Sequence, residues 1–207
     1  MITIIDYEMG NLRSVAKAFE TLGFDVCVSN DPNAVATSDK VVLPGVGAFR
    51  DCIHNLRAGG FVEPILKHVA AGKPLLGICV GMQMMFDESE EFGVHQGLGL
   101  IPGRVKRFPA GMVEGGERLK VPHMGWNSIQ IVRPAPIFND VADQSFVYFV
   151  HSYYCAADQA EHVAALCRYG DITFSAAIWR DNLMATQFHP EKSQSVGLAV
   201  FRNFAAL

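Results

Sequence analysis

The sequence Leu75-Leu76-Gly77-Ile78-Cys79-Val80-Gly81-Met82-Gln83 is an apolar run that ends in one reactive side chain, Cys79, between two glycines. This spacing is typical of a nucleophile elbow, in which a buried strand turns sharply into a helix. Glycines are expected on both sides because a Cβ atom there would collide with the neighbouring chain. The turn would lift the Cys79 sulfur above the sheet, at the N-terminus of a helix whose dipole favours the thiolate. The alternative is a buried structural cysteine in a glycine-rich connection.

The chain up to the elbow alternates predicted strands with predicted helices. Short apolar runs predict strands at residues 2–6, 24–28, 40–43 and 73–78. Apolar residues at helical spacing predict helices at residues 11–22, from Phe49 through Leu56, at residues 61–71, and after the elbow at Met82, Met85 and Phe86. Such an alternation implies a parallel sheet with helices on both faces. Ligands bind at the carboxyl ends of strands in these sheets, and Gly45 and Cys79 lie at two such ends.

After about residue 90 the sequence becomes rich in glycine and predicts short antiparallel strands. The strand candidates are residues 104–108, 128–132, 146–150, 162–169, 173–179 and 183–186. Turns at Tyr169-Gly170-Asp171 and Arg180-Asp181-Asn182 indicate hairpins. A final helix is predicted at residues 195–206. The whole pattern predicts an α/β fold, with a mostly parallel central sheet, flanking helices and antiparallel β additions in the C-terminal half.

Length and composition exclude several classes of protein. The chain has 207 residues, 50% of them hydrophobic, which is enough for one well-buried domain, expected to span residues 1–207. The formal net charge of -4 and the lack of a basic stripe argue against a nucleic-acid binder. The five cysteines are odd in number and show no CxxC spacing, which indicates neither a disulfide framework nor a zinc site.

The N-terminus and the hydropathy pattern predict a cytoplasmic protein. Residues 1–6 lack the basic region and the long apolar region of a signal peptide, and they fit a first strand instead. No apolar run approaches the length needed to span a membrane. There is also neither a P-loop nor a dinucleotide fingerprint, so we expect no cofactor.

The second chemical pattern is Gln187-Phe188-His189-Pro190-Glu191. Proline holds the chain extended, so the side chains of His189 and Glu191, two residues apart, project on one side. A carboxylate on one imidazole nitrogen stabilises the imidazolium, while the other nitrogen can take a proton from a thiol. With Cys79, these residues predict a Cys-His-Glu triad for acyl transfer. The alternative is a histidine in a turn at a strand end.

The third pattern is the loop Pro44-Gly45-Val46-Gly47, which follows a predicted strand. Such a loop can aim backbone N–H groups at a developing oxyanion. The N–H of Val80, the residue after the nucleophile, is a second natural donor. We therefore predict the oxyanion region at Gly45, Val46, Gly47 and Val80. Taken alone, the loop is equally consistent with a plain tight turn.

These three patterns together resemble the class I (triad) glutamine amidotransferases, and the resemblance covers nearly the whole chain. The elbow with Gln83 four residues after Cys79 and the His-Pro-Glu run are specific to that superfamily. Residues 4–15 and the stretch Val121-Pro122-His123-Met124-Gly125-Trp126-Asn127 are similar to the glutaminase subunit of imidazole glycerol phosphate synthase. The PGVGAF run and residues 149–154 resemble the same subunit. The resemblance implies a flavodoxin-like class I amidotransferase fold.

The resemblance also implies a reaction, the hydrolysis of L-glutamine to glutamate and ammonia. His189 would accept the Cys79 proton, the thiolate would attack the side-chain amide, and water would hydrolyse the γ-glutamyl thioester. The loop at residues 45–47 is thought to rearrange in this family before a donor points inward. The positions that match holders of the glutamine amino-acid moiety are Gln83, Ser152 and Tyr153. Without the resemblance, Gln83 could be an exposed helix residue, and the other two could cap a strand.

A separate partner protein is predicted as well. The chain has no room for a second catalytic domain, so ammonia must be consumed elsewhere. The resemblance supplies the partner's identity, a (β/α)8-barrel cyclase in a heterodimer that makes imidazole glycerol phosphate and AICAR in histidine biosynthesis. The positions that match its interface are Met124, Trp126, Tyr148 and Lys192. Trp126 is expected in a surface loop as an aromatic anchor, with burial in the chain's own core as the alternative.

Two other functions stay open at the level of the sequence. A related triad glutaminase could serve another synthase, such as anthranilate or aminodeoxychorismate synthase, although residues 6–11 and 122–127 weigh against it. A non-catalytic binding subunit on the same scaffold is the other possibility. The presence of Cys79, His189 and Glu191 together disfavours this binding subunit.

Overall fold

In the N-terminal half, strands alternate with helices as predicted, and the observed ends lie within two residues of the predicted ones. The computed structural model describes residues 1–207. The strands are β1 (Ile2–Ile5), β2 (Val26–Ser29), β3 (Lys40–Gly45) and β4 (Leu75–Cys79). The helices are α1 (Leu12–Thr21), α2 (Pro32–Thr37), α3 (Phe49–Ala58), α4 (Val62–Ala70) and α5 (Val80–Met84).

The C-terminal half consists mainly of strands, as the glycine-rich sequence predicts. The strands are β5 (Phe86–Ser89), β6 (His95–Gln96), β7 (Ile101–Arg107), β8 (Val113–Glu114), β9 (Glu117–Arg118), β10 (His123–Ser128), β11 (Gln130–Ile131), β12 (Phe146–His151), β13 (Tyr153–Ala157), β14 (Val163–Tyr169), β15 (Ile172–Arg180) and β16 (Leu183–Thr186). The chain ends in helix α6 (Gln194–Ala206), and single turns of 3-10 helix occur at Pro136–Phe138, Ala160–His162 and Pro190–Lys192.

Three local predictions are wrong. The segment around Trp126, expected as a loop, is strand β10, because it pairs along its whole length with β12. The strand predicted at residues 128–132 is instead divided between the end of β10 and β11. The helix after the elbow is also shorter than its apolar spacing suggests, since Phe86 opens strand β5.

The central sheet has eight strands in the order β11-β14-β15-β16-β4-β3-β1-β2. Five adjacent strands run parallel to one another, namely β16, β4, β3, β1 and β2. Beyond β16, the strands β15, β14 and β11 extend the sheet, each antiparallel to the strand before it. Strand β16, late in the chain, therefore lies beside β4, so that their carboxyl ends meet at the same edge. This predicted α/β architecture is confirmed, and it brings residues that follow β3, β4 and β16 together.

Helices cover the central sheet and bury its apolar residues. Helix α1 packs against α6 through Phe19, whose ring centroid lies 4.6 Å from that of Phe201. The buried apolar residues form one cluster of 53 residues. The longest helix, α6, has 13 residues. No helix combines the length and the hydrophobicity required to cross a membrane.

Three smaller β units stand beside the main sheet. One is a four-stranded sheet with the order β13-β7-β5-β6, and another is the β8-β9 hairpin. The third is the antiparallel β10-β12 ribbon, in which His123 pairs with His151 and Trp126 pairs with Tyr148. Because strand side chains alternate between faces, one face of this ribbon carries the two histidines and the other carries Trp126 and Tyr148.

Candidate active site

Cys79 lies at the carboxyl end of β4, at the tip of the predicted elbow. Its backbone has φ 55° and ψ -109°, a sparsely populated conformation for a residue with a side chain. The side chain is buried but borders a cavity. Helix α5 begins at the next residue and ends after five residues. Its dipole is correspondingly small, so a Cys79 thiolate needs a positively charged neighbour as well as the helix.

Neither glycine of the elbow has room for a Cβ atom. A Cβ atom built on Gly81 would overlap the carbonyl oxygen of Leu43 and lie 2.9 Å from its carbonyl carbon. A Cβ atom on Gly77 would lie 2.8 Å from Met85 Cε and 3.0 Å from the backbone of Gly81. Leu43 belongs to β3, the neighbour of β4, so Gly81 lets the elbow pass directly against that strand. The predicted clash with a neighbouring strand is confirmed at Gly81, whereas a Cβ atom on Gly77 would crowd the flexible end of Met85 and the backbone of the elbow itself.

His189 stands beside Cys79 because β16, the strand that precedes it, is the neighbour of β4. Its Nδ1 lies 2.8 Å from Glu191 Oε1, and the two side chains are 3% and 1% exposed. The backbone N–H of His189 donates to the Tyr148 carbonyl (2.9 Å), which anchors this segment to β12. Nε2 has no hydrogen-bond partner, and His189 lines the same cavity as Cys79. Nε2 is therefore the nitrogen available for proton exchange with the thiol.

The surroundings of His189 keep its imidazole protonated at neutral pH. Burial alone disfavours the charged ring, but the Cys79 sulfur and the Glu191 carboxylate outweigh burial and raise the pKa of His189 to about 10. An imidazolium beside a sulfur favours the thiolate in turn. Glu191 is the buried hydrogen-bond partner of the protonated ring.

Most of the predicted site residues line one cavity of about 310 Å³, at the lower end of the range for small-ligand sites. Those residues are Val46, Gly47, Cys79, Val80, Gln83, Ser152, Tyr153 and His189. Gly45 and Glu191 do not line the cavity. Gly45 pairs with Cys79 within the sheet, and Glu191 contacts the Nδ1 side of the imidazole. The remaining wall residues, which we did not predict as site residues, are Glu91, Pro122, Val150 and His151.

The loop after β3 presents unpaired N–H groups at the cavity. The backbone N–H groups of Val46 and Gly47 make no hydrogen bond within the chain. Gly47 has φ 101°, a conformation that favours glycine. Val80 is the first residue of α5, so its N–H has no acceptor inside the helix. The role of these groups as oxyanion donors stays a prediction.

Two buried side chains that sequence reasoning missed hold this loop. Tyr7 Oη donates to the Pro44 carbonyl (2.7 Å), and Cys52 Sγ donates to the Val46 carbonyl (3.4 Å). Burial raises the pKa of Cys52 to about 12, so Cys52 remains a thiol and keeps its proton for this bond. Tyr7 lies in β1's connection to α1 and Cys52 lies in α3, so only the folded chain brings them to the loop.

Gln83 is buried in α5, so the alternative of an exposed helix residue is wrong. Its Nε2 donates to the Tyr153 carbonyl (3.1 Å) and to Gln187 Oε1 (3.3 Å). Ser152 joins β12 to β13, and its carbonyl accepts a hydrogen bond from the Phe108 N–H (3.1 Å). The predicted substrate-binding residues thus share one wall of the cavity.

Comparison with known proteins agrees with this geometry. The family model described as "Glutamine amidotransferase class-I" matches residues 3–206. The chain is 65% identical to "Imidazole glycerol phosphate synthase subunit HisH" of Syntrophotalea carbinolica over 204 residues, which cover 99% of this chain and 98% of the relative. It is 60% identical to the protein of the same name in Geobacter sulfurreducens, over 100% of this chain and 98% of the relative.

The chain belongs to the class-I glutamine amidotransferases, in the HisH family. Solved structures agree on the fold of this amidotransferase. It superposes on a structure described as "Crystal structure of glutamine amidotransferase" with a TM-score of 0.75 at 18% identity, over 100% of both chains. It also matches the "Structure of PurLQS from Thermotoga maritima" with a TM-score of 0.72 at 17% identity, over 99% of this chain and 97% of the other.

The four positions predicted for partner contact form an exposed patch on the amidotransferase. Met124 and Trp126 are 66% and 46% exposed on the outer face of the β10-β12 ribbon, so burial of Trp126 in the core is excluded. The Trp126 and Tyr148 rings meet edge to face with centroids 6.0 Å apart, and Lys192 Nζ lies 5.6 Å from the Tyr148 ring. The patch adjoins the triad through the Tyr148 carbonyl, which accepts the His189 N–H.

The inner face of the same ribbon carries a pair of buried histidines that sequence reasoning missed. His123 Nδ1 and His151 Nε2 are 3.0 Å apart, and His151 Nδ1 donates to the Tyr153 carbonyl (2.8 Å). Asn127 Nδ2 lies 3.3 Å from the remaining nitrogen, His123 Nε2, and donates to it. Burial lowers the pKa of His123 to about 4 and that of His151 to about 3, so both rings are neutral. The sequence did contain a signal for this pair, because each histidine occupies an inward-facing position in a strand whose side chains alternate between the two faces.

Replacement of Glu191 by glutamine is expected to lower the pKa of His189 and to slow catalysis while retaining some activity, because the amide can still orient the ring without the charge. The raised pKa implies that the His189 ring holds a proton in the folded protein, but not in the unfolded chain, between the ordinary pKa of histidine, about 6.5, and about 10. The contribution of His189 to the free energy of unfolding that follows from this difference is complete below about pH 6.5 and is lost as the pH rises through about 10. In Glu191→Gln it should be lost at a lower pH.

The measurement is urea unfolding of wild type and Glu191→Gln at a series of pH values, with an NMR titration of His189. Glu114→Gln, an exposed change in the β8-β9 hairpin, serves as control and should leave both curves unchanged. An unchanged His189 titration in Glu191→Gln would contradict the role of Glu191.

Proposed function

We propose that this amidotransferase hydrolyses L-glutamine to glutamate and ammonia, as the glutaminase subunit of an imidazole glycerol phosphate synthase in histidine biosynthesis. The observation that carries the proposal is the buried His189–Glu191 pair beside the Cys79 elbow, in a cavity for a small ligand. The names of the relatives support the choice of synthase. Residues 1–207 would act as one domain, in the cytoplasm, where the five free cysteines would persist as thiols.

The reaction uses the triad in two steps. The Cys79 sulfur, whose proton passes to His189 Nε2, attacks the side-chain amide carbon of glutamine and forms a tetrahedral oxyanion. His189 returns the proton to the leaving nitrogen, so ammonia departs and a γ-glutamyl thioester remains. Water then attacks the thioester with His189 as base, and glutamate leaves with the Cys79 thiol restored.

The remaining site residues bind the substrate or stabilise the oxyanion. The N–H groups of Val46, Gly47 and Val80 are the proposed donors for the oxyanion, and such donors strengthen where water is excluded. Gly45 supports the loop from within the sheet. The polar wall formed by Gln83, Ser152 and Tyr153 would hold the amino and carboxylate groups of the substrate.

The partner in this proposal is a (β/α)8-barrel cyclase that receives the ammonia in a heterodimer. It would dock on the exposed patch of Met124, Trp126, Tyr148 and Lys192, where an aromatic side chain and a cation lie together on the surface. The position of the patch supports this choice, because the Tyr148 backbone is hydrogen-bonded to His189. Docking at the patch would thus act close to the triad.

We expect the isolated subunit to hydrolyse glutamine slowly and the partner to accelerate it about 10²-fold, the effect expected when one oxyanion donor is gained. The loop at residues 45–47 is the proposed gate, held by Tyr7 and Cys52 until the partner binds. The measurement is glutamate release with and without the cyclase subunit. Trp126→Ala should weaken the acceleration, and Val28→Ala, an exposed change on the edge strand β2, should preserve it. Hydrolysis by the isolated chain at the rate of the complex would contradict the gate.

A further inference from the structure

Gln187 has a side-chain amide that is fully buried against the reacting sulfur. It lies two residues before His189, just after β16, and its backbone N–H donates to the Ala176 carbonyl of β15 (2.8 Å). Its Nε2 lies 3.8 Å from Cys79 Sγ, a hydrogen-bonding distance for the large sulfur atom. A buried amide in contact with a nucleophile is costly unless its polar atoms are satisfied, so its orientation matters.

The surrounding groups leave the amide only one orientation. Gln83 Nε2 donates to the Tyr153 carbonyl, which can only accept, so the Gln83 amide is fixed with its NH2 group toward Gln187. Gln187 Oε1 accepts from this NH2 group (3.3 Å) and from the Cys155 thiol (3.6 Å). Its own NH2 group must therefore point at Cys79.

The result is a chain of two amides with a defined direction. It begins at the Tyr153 carbonyl, which also accepts from His151 Nδ1 (2.8 Å), and it ends with an N–H aimed at the sulfur. Burial raises the pKa of the Cys155 thiol, so Cys155 keeps the proton that it donates to Gln187. Every polar atom that contacts the Gln187 amide thus favours the donation to Cys79.

We propose that Gln187 is a catalytic residue that donates a hydrogen bond to the Cys79 thiolate and holds the sulfur in line for attack. A neutral donor stabilises the anionic sulfur more than the neutral thiol, because hydrogen bonds to charged groups are stronger. His189 cannot supply this bond throughout the reaction, since it gives its proton to the leaving ammonia. The proposal rests on Cys79 being the nucleophile of the proposed function.

The test is the pH dependence of Cys79 alkylation by iodoacetamide in the complex with the cyclase subunit, followed by mass spectrometry of the peptide that contains Cys79. Gln187→Met keeps the length of the side chain and removes the donor, so the midpoint pH of alkylation should rise by about one unit. Gln187→Glu keeps the shape and replaces the donor with an acceptor, so the midpoint should rise further. At a pH below the midpoint, kcat should fall about tenfold in Gln187→Met and further in Gln187→Glu, since less of the sulfur is ionised.

Cys27→Ala is the control, because this thiol lies in β2, away from Cys79 and Gln187. Its midpoint should equal that of wild type. If Gln187→Met does not fold, Gln187→Glu decides. In wild type, the side-chain amide resonance of Gln187 should also follow the Cys79 titration.

An unchanged alkylation midpoint in a folded Gln187 variant, or an amide resonance that ignores the Cys79 titration, would overturn the proposal. The alkylation midpoint can be measured whether or not the proposed function is right, because alkylation of Cys79 needs no glutamine. A wild-type complex without glutaminase activity would refute the proposed function and leave the midpoint shift measurable.

Discussion

Replacement of Cys79 by alanine is expected to abolish glutamine-dependent synthesis by the complex, with a loss of roughly 10⁴-fold or more, as when other triad enzymes lose their nucleophile. The reason is that no other thiol can reach the substrate. Cys52 and Cys155 are buried, and burial raises the pKa of both above the ordinary value. Ammonium salts should still support the partner's reaction in this variant, since they bypass the glutaminase.

The measurement compares synthesis from glutamine and from ammonium chloride in wild-type and Cys79→Ala complexes. Cys27→Ala is the control, because this half-buried thiol lies in β2, away from the site. Glutamine-dependent turnover that persists in Cys79→Ala would refute the triad. Loss of the ammonium-dependent reaction as well would show damage to the complex instead of to the nucleophile.

Replacement of Gly81 by alanine is expected to destabilise the protein by about 4 kcal/mol or more, or to prevent folding, because the new Cβ would overlap a backbone oxygen. The Leu43 carbonyl belongs to β3, which is held between β4 and β1 and cannot move aside. The conflict is between two backbones, so a change of rotamer cannot relieve it. Urea unfolding and soluble yield measure the effect.

Gly72→Ala is a matched comparison for this prediction. Gly72 has φ 74°, and no atom lies within 4 Å of the position that a Cβ atom would take there. Alanine at this position should therefore cost only the strain of a left-handed residue, about 1–2 kcal/mol. If Gly81→Ala and Gly72→Ala were equally stable, the close approach of the elbow to β3 would not be the reason for Gly81.

The parts of the site that could be predicted from the sequence are those whose geometry is local. The sharp turn at Cys79 requires glycines at fixed spacing, and the proline of the His-Pro-Glu run fixes how His189 and Glu191 project. Both patterns are complete within a few residues. The α/β alternation also indicated that Gly45 and Cys79 lie at the carboxyl ends of strands, where ligands bind.

The other contacts of the site depend on which elements, far apart in the sequence, come together in the fold. Gln187 lies only two residues before His189, but its contact with Cys79 follows from the pairing of β16 with β4. Tyr7 and Cys52 reach the loop after β3 from separate elements, and no spacing in the sequence links them. The segment around Trp126 was expected to be a loop because of its proline and glycine, but cross-strand pairing with β12 outweighed that local preference.

The alternation of the β10-β12 ribbon has an evolutionary consequence. Its inward positions hold the neutral histidines, of which His151 lines the cavity, whereas Trp126 and Tyr148 lie on the outward face where we propose that the partner docks. Substitutions at Met124 and Trp126 can therefore accumulate without changing a residue that lines the cavity. A lineage that duplicates such a gene could exchange the outward side chains and keep the chemistry intact. The ribbon thus offers a route by which one glutaminase scaffold is recruited to new synthases.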